Sequence, residues 1–183
     1  MKLQEIIKTS DYLFLDRDGV INKRKLDDYI TKWEEFEFLD GVEETIAVFS
    51  QYFKRIFVVT NQQGIGKGLM SEEDLQGIHQ NMQKSIEDFG GNIDAFYFCP
   101  MLRQQHDNCR KPGLFMALQA QRDFPEVDFS KSLMIGDTAT DMLFAKNAGM
   151  FRVLLQNEYT QAKDLENSQI QINSLSDIAN LLK

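Results

Sequence analysis

Two cysteines, two histidines, three prolines and one tryptophan in 183 residues leave little for several kinds of protein to be built on. Two cysteines are too few for a disulfide framework, so Cys99 and Cys109 read either as reduced thiols or as metal ligands. Nowhere do 18 apolar residues run together, and the opening MKLQEIIKTSDYLFLD lacks a basic start followed by a long apolar run. The expectation is a cytoplasmic protein with no membrane partner. Internal repeats, low-complexity tracts and linkers long enough to divide the chain are lacking too, which points to one domain over residues 1–183. Positive charge is also short: 20 Lys and Arg face 28 Asp and Glu, a formal net charge of −8. That opposes general attraction to nucleic acid and favours small partners.

What is present is 43% hydrophobic residues, enough for one sizeable core. Short apolar runs recur between helical patterns: YLFLD (12–16), RIFVVT (55–60), DAFYF (94–98), SLMIG (132–136) and FRVLL (151–155). Each reads as a strand buried on both faces. Between them, 40–53 places Val42, Ile46, Phe49 and Phe53 on one helical stripe, with Asp40 and Glu43 as a capping box. Ser71 and Asp74 make a second capping pair for a helix that runs to the Gly90-Gly91 stop. Further helices are expected after Lys111, from Thr138 to Gly149, and over SLSDIANLLK. The polar stretch QNEYTQAKDLENSQ reads as a surface connection before a short edge element, IQIN. Alternating strands and helices imply a doubly wound, Rossmann-like α/β fold, a parallel sheet with helices on both faces.

In such sheets ligands bind beyond the carboxyl ends of the strands. Asp16 closes the first strand, and Asp18 follows before a glycine that permits a sharp turn. The second strand ends VVTNQQGIG, offering Thr60, Asn61 and glycine N–H groups as an anion cradle. The third leads through CPMLRQQHDNCRKPG to Arg110 and Lys111, and the fourth ends IGDTATD with Asp137 and Asp141. Three carboxylates at one crevice repel one another unless a cation joins them, and a hard oxygen site open to water suits Mg²⁺. Asp16 is placed to attack phosphorus, Asp18 to act as acid and base, and Lys111, Thr60 and Mg²⁺ to neutralise the phosphoryl group. Asp141 is the candidate to orient Lys111 or a metal-bound water. A lone D-x-D or Thr-Asn is ordinary turn chemistry, and Thr138 with Asp141 resembles a helix cap. It is the joint order at successive strand ends that carries the reading.

DRDGV, VVTNQ, RKP and GDTATD, spaced 44, 51 and 26 residues from Asp16 to Thr60 to Lys111 to Asp137, strongly resemble the four motifs of the haloacid dehalogenase superfamily of phosphohydrolases. The resemblance implies Asp16 as nucleophile, Asp18 as acid/base and, through its backbone carbonyl, metal ligand. It also implies Thr60 and Lys111 as phosphate binders and Asp137 as metal ligand. FLDRDGVIN, EFEFLDGV, VVTNQQGIGKG, FYFCP and CRKP look most like the heptose-bisphosphate and histidinol-phosphate phosphatase branch, whose members have no separate cap domain. Three loops, 22–36, 62–69 and 99–111, must then select the substrate. Lys67 and Arg110 are the candidates for a second anionic group or sugar hydroxyls. The leading substrate is a sugar phosphate such as D-glycero-D-manno-heptose 1,7-bisphosphate, followed by histidinol phosphate. A polynucleotide 3′-phosphatase and a non-catalytic phosphate-binding module are the remaining alternatives.

That branch usually carries a structural zinc held by a C-x-H pair and a C-x-C pair. Here Met101 and Asp107 stand where the histidine and inner cysteine belong, so Cys99, His106, Asp107 and Cys109 are the candidate ligands that remain. The expectation is a metal-free substrate loop, with Cys99 a small apolar residue and Cys109 a bystander. His79 reads as a surface residue of its helix, and Trp33 as packing for EFEFL or a wall of the site.

Overall fold

A computed structural model describes residues 2–26, 28–105 and 108–182. Six parallel strands form one sheet: β1 (Tyr12–Leu15), β2 (Arg55–Asn61), β3 (Ala95–Cys99), β4 (Ser132–Gly136), β5 (Phe151–Leu155) and β6 (Ile170–Ile172), in the order β3-β2-β1-β4-β5-β6. The strand runs read from hydrophobicity fall within a residue of these bounds, because a strand covered on both faces is apolar throughout. The spatial order reverses at β1, which is flanked by β2 and β4. Chain ends of β1 and β4 therefore open on one crevice.

One face of the sheet, carrying Leu13, Leu15, Ile56, Val58, Leu133 and Ile135, packs on Ile46 and Phe49 of α2 (Val42–Tyr52), Met82 and Ile86 of α4 (Glu72–Asp88) and Ile178 of α8 (Ser176–Leu182). The alternate residues, Tyr12, Phe14, Phe57, Val59 and Met134, pack on Met116 and Ala120 of α5 (Phe115–Asp123) and Phe144 of α6 (Ala139–Ala148). This period of two sorts the sheet's side chains into two cores. The intervals between motif-bearing strand ends are filled by these core elements, and among the described residues none forms a separate cap.

Several local expectations change. Helix α2 starts at Val42 after Gly41, which sits at φ 69°, so the Asp40 and Glu43 box does not form; Glu43 instead accepts from Ser85 Oγ at 3.0 Å. Short helices α1 (Leu3–Thr9), α3 (Gln63–Gly66) and α7 (Ala162–Asn167) lie where no helix is expected from periodicity, the last within the stretch read as a connection. Each is too short to show an apolar stripe. Trp33 stacks on Phe36, with ring centroids 4.9 Å apart, in a small cluster with Ile30, Met70, Leu75 and Ile78, which is packing.

His79 is buried rather than on the surface: it is 6% exposed and stacks on Phe96 at 4.8 Å. Burial, reinforced by the Arg17 charge, pushes its imidazole down to about 3. The unfolded chain binds this proton below about 6.5 and the folded one does not, so stability is lost as pH falls through that window. Between pH 6.5 and 4.5 the wild type is expected to lose about 2–3 kcal/mol more than His79→Phe, read from urea midpoints. Equal losses in both proteins would refute the assignment.

Candidate active site

Asp16 follows β1 directly, and its N–H bonds the Ile135 carbonyl of β4 at 3.0 Å, which places it beside Asp137 at the end of β4. Two glycines make room for these acids. A Cβ on Gly19, at φ 91°, would lie 2.2 Å from Asp137 Oδ2, and a Cβ on Gly136 would lie 2.2 Å from Asp141 Cβ. Any side chain at either position would push a carboxylate out of the crevice.

Lys111 is the hub. Its Nζ lies 2.9 Å from Asp16 Oδ1 and 2.6 Å from Asp141 Oδ1, and donates to the Val59 carbonyl at 2.8 Å, with 3% of the residue exposed. Burial works against its charge, but Asp141 and Asp16 outweigh it and hold the ammonium above its ordinary range. Asn61, at the end of β2, accepts the Lys111 N–H at 3.0 Å and donates to its carbonyl at 3.4 Å, so its amide positions the Lys111 loop. Asp141 spends its other oxygen on the N–H and hydroxyl of Thr138, at 3.1 and 2.6 Å, serving the cap and the lysine together.

Asp18 is held apart. Its carboxylate accepts from Arg17 at 2.8 and 3.0 Å, from Asn22 at 3.0 Å and from Gln62 at 2.8 Å. Burial would raise its pKa, yet the Arg17 charge and these donors together bring it below the usual carboxylate value. Gln62 also donates to Thr60 Oγ1 at 2.9 Å, joining the acid to the hydroxyl at the end of β2.

Among the described residues, Asp16, Asp137 and Asp141 form a trio whose oxygens lie within 4.8 Å of one another. Burial and the neighbouring Asp141 charge, opposed by Lys111, push Asp16 up to about 6. Burial, opposed by Arg24 and reinforced by Asp141 and Asp16, pushes Asp137 up to about 8. Two acids this reluctant to ionise, crowded with a third carboxylate, offer oxygen donors that fit a hard divalent cation placed among them. Asp18 lies outside the carboxylate trio, so the atom it could offer a cation is its backbone carbonyl, the one the family resemblance implies.

The site opens into a cleft of about 990 Å³ lined by Asp16, Thr60 and Lys111 at its base. Lys67, Arg103 and Arg110 stand around it, while Lys25, paired with Glu35 at 3.0 Å, and Asp28 line it as well. Lys67 Nζ lies 5.0 Å from the Tyr29 ring centroid, and Arg110 donates to the Met101 carbonyl at 3.2 Å. Although the chain as a whole is acidic, this rim is cationic.

Residues 108–180 match the family model described as HAD-hydrolase-like. Over 135 residues, 74% of this chain and 71% of the relative, the sequence is 41% identical to the D-glycero-alpha-D-manno-heptose-1,7-bisphosphate 7-phosphatase of Mycobacterium bovis. It is 33% identical over 180 residues, 97% of this chain and 100% of the relative, to the D-glycero-beta-D-manno-heptose-1,7-bisphosphate 7-phosphatase of Helicobacter pylori. The chain belongs to the heptose-bisphosphate phosphatase family. The phosphatase also shares its fold with a crystal structure of D,D-heptose 1,7-bisphosphate phosphatase from B. bronchiseptica complexed with magnesium and phosphate. The TM-score is 0.83 at 28% identity, covering 94% of this chain and 97% of that one. The motif order had implied a phosphoric monoester hydrolase, and the relatives bear this out.

Among the polar residues of the phosphatase site that sequence reasoning missed are Arg17, Asn22, Arg24, Lys25, Gln62 and Arg103. Arg17 is fully buried and forks onto Asp18, a role its place between two aspartates could have suggested. The glycine cradle is corrected at Gly66: its N–H bonds the Pro100 carbonyl at 3.0 Å, and a Cβ there would lie 2.5 Å from that oxygen, so this glycine serves the close approach of two loops.

The cysteines are corrected as well. Cys99 and Cys109 are joined in a disulfide, with Cα atoms 5.4 Å apart. They are therefore neither free thiols nor thiolate ligands. Asn61 ties the Lys111 backbone to the end of β2, next to the end of β3, and this brings residue 109 back over Cys99. His106 and Asp107, the other candidate zinc ligands, lie outside the described residues.

Proposed function

We propose that this phosphatase, as one domain over residues 1–183, removes a phosphate from a small bisphosphorylated sugar, the leading substrate being D-glycero-D-manno-heptose 1,7-bisphosphate. The observation that carries the reading is the pairing of the Asp16 and Lys111 site with a rim of Lys67, Arg103 and Arg110 on one cleft. A sugar with a phosphate at each end presents one anion to the base and one to the rim. Histidinol phosphate carries an amine instead, which a cationic rim opposes, and this favours the bisphosphate. The relatives' names support the same substrate, and they include both anomers. Such charged metabolites fit a cytoplasmic enzyme.

In this reading Asp16 attacks phosphorus and carries the phosphoryl group as an aspartyl-phosphate until water releases it. Lys111, already fixed on Asp16, neutralises the transferred oxygens, and the Thr60 hydroxyl donates to them. Mg²⁺, held by Asp16, Asp137 and the Asp18 carbonyl, would supply further charge neutralisation for the phosphoryl oxygens. Asp141 keeps Lys111 aimed. To protonate the leaving sugar oxygen, Asp18 must rotate away from Arg17, which also frees its carboxylate to take up a proton. Arg110 and Lys67 receive the second anion.

The test is kcat/KM for phosphate release, with Mg²⁺, across both heptose bisphosphate anomers, histidinol phosphate, simple sugar monophosphates and a 3′-phosphorylated oligonucleotide. A preference above about a hundredfold for one bisphosphate anomer, about 2.7 kcal/mol of discrimination, is expected. A flat profile would overturn the substrate while leaving the chemistry, and no turnover by folded protein would favour a binding module.

A further inference from the structure

Arg24 takes no part in the mechanism above, yet it reaches the centre of the site. One nitrogen, Nη2, lies 2.9 Å from Asp137 Oδ1 and 3.3 Å from the Asp18 carbonyl oxygen. Those two residues are the ones read as metal ligands together with Asp16. We infer that Arg24 is a built-in counter-cation, its guanidinium bridging Asp137 and the Asp18 carbonyl until a divalent cation takes those oxygens and turns the side chain out into the cleft. The inference rests on the metal-site reading above.

The surroundings separate a movable cation from a fixed one. Lys111 is buried on three partners and cannot leave without stranding two carboxylates. The Arg24 side chain is 32% exposed, whereas that of Asp137 is 1% exposed. Arg24 itself has neither helix nor strand conformation, and it already lines the cleft together with Lys25 and Tyr29, so its side chain has open space to turn into. Asp137, by contrast, is fixed: Oδ2 accepts from Asn157 at 3.2 Å and packs against the Cβ-free face of Gly19. An arriving cation therefore finds its carboxylate in place and the guanidinium as the part able to yield. Two like charges on the same oxygens repel, so one must go. Arg24 in this role keeps the acids compensated while the cation is away, and links cation binding to the freeing, from its partner Asp137, of a basic side chain that already lines the cleft.

The experiment measures Mg²⁺ binding by calorimetry for the full-length wild type, Arg24→Gln, Arg24→Lys and Asp137→Asn. Arg24 Nε–Hε resonances of the ¹⁵N-arginine-labelled wild type are followed in parallel. Arg24→Gln is expected to bind Mg²⁺ about two- to fivefold more tightly than the wild type, the size of a part-exposed ion pair that no longer has to be broken. Arg24→Lys should fall between them, and the Arg24 resonance should shift with the midpoint of the Mg²⁺ titration. Unchanged or weaker binding by Arg24→Gln, or an Arg24 resonance that stays still while Mg²⁺ binds, overturns the inference. Should Arg24→Gln not fold, the resonance and Arg24→Lys decide it. A wild type that binds no better than Asp137→Asn overturns the metal-site reading, and this inference with it.

Discussion

Asp16→Asn is expected to lower kcat/KM on heptose 1,7-bisphosphate by roughly 10⁴-fold or more, the scale on which removal of a covalent nucleophile acts. The amide is nearly isosteric and keeps an oxygen able to accept the Arg17 N–H, which now bonds Asp16 Oδ1 at 2.7 Å. It also removes one of three crowded buried acids, the one pushed up to about 6. The variant should therefore fold with a thermal midpoint no lower than that of the wild type at pH 8, so that its inactivity belongs to chemistry. A folded variant within tenfold of wild-type activity would remove Asp16 from the nucleophile's role.

Lys111→Met is expected to be the most damaging single change to stability at the site. Methionine fills the same channel but leaves Asp16 and Asp141 facing each other without their shared cation. Removing one member of a buried charge set in this way costs about 3–5 kcal/mol, and losing a transition-state donor costs about 10²–10³-fold in kcat. The sign of the pH dependence distinguishes this from a packing defect. Without Lys111, which now opposes the upward push of burial, the Asp16 carboxyl is harder still to ionise in the folded state than in the unfolded chain. The folded state then holds the extra proton, and stability falls as pH rises from about 4 through the folded value. Urea midpoints at pH 5 and 8 should place the larger deficit at pH 8; an equal deficit at both would point to lost packing.

The strands and the longer helices were legible because burial on two faces and a 3.6-residue stripe leave marks over many residues. Glu72–Asp88 shows both an apolar stripe and a Ser71 cap, and it formed as read. Residues 63–66 carry no such mark. Their helix follows from packing against Tyr29 and Pro100, which are distant in sequence. His79 failed for a related reason: its place on the helix suggested the polar side, but Phe96 of β3 covers that side. The acids and Lys111 could be placed because strand ends in a doubly wound sheet must meet at one crevice. Arg24 could not, since it comes from an irregular segment whose path no periodicity sets. The cysteines show the limit of counting. Two were too few to announce a framework, yet the sheet order and the Asn61 contact with Lys111 bring them together.

In the proposed mechanism a phosphoryl group passes through Asp16, and stopping the enzyme with acid during turnover of heptose 1,7-bisphosphate, then mapping the modification by mass spectrometry, looks for it there. The Asp18→Asn variant, in which release of the group is slowed, serves as the second sample. One phosphoryl group is expected on the peptide containing Asp16, lost on mild alkaline treatment as an acyl phosphate is, and more abundant in Asp18→Asn than in the wild type. Steady phosphate release with Asp16 unmodified in both proteins, or with the phosphoryl group on another residue, would contradict it.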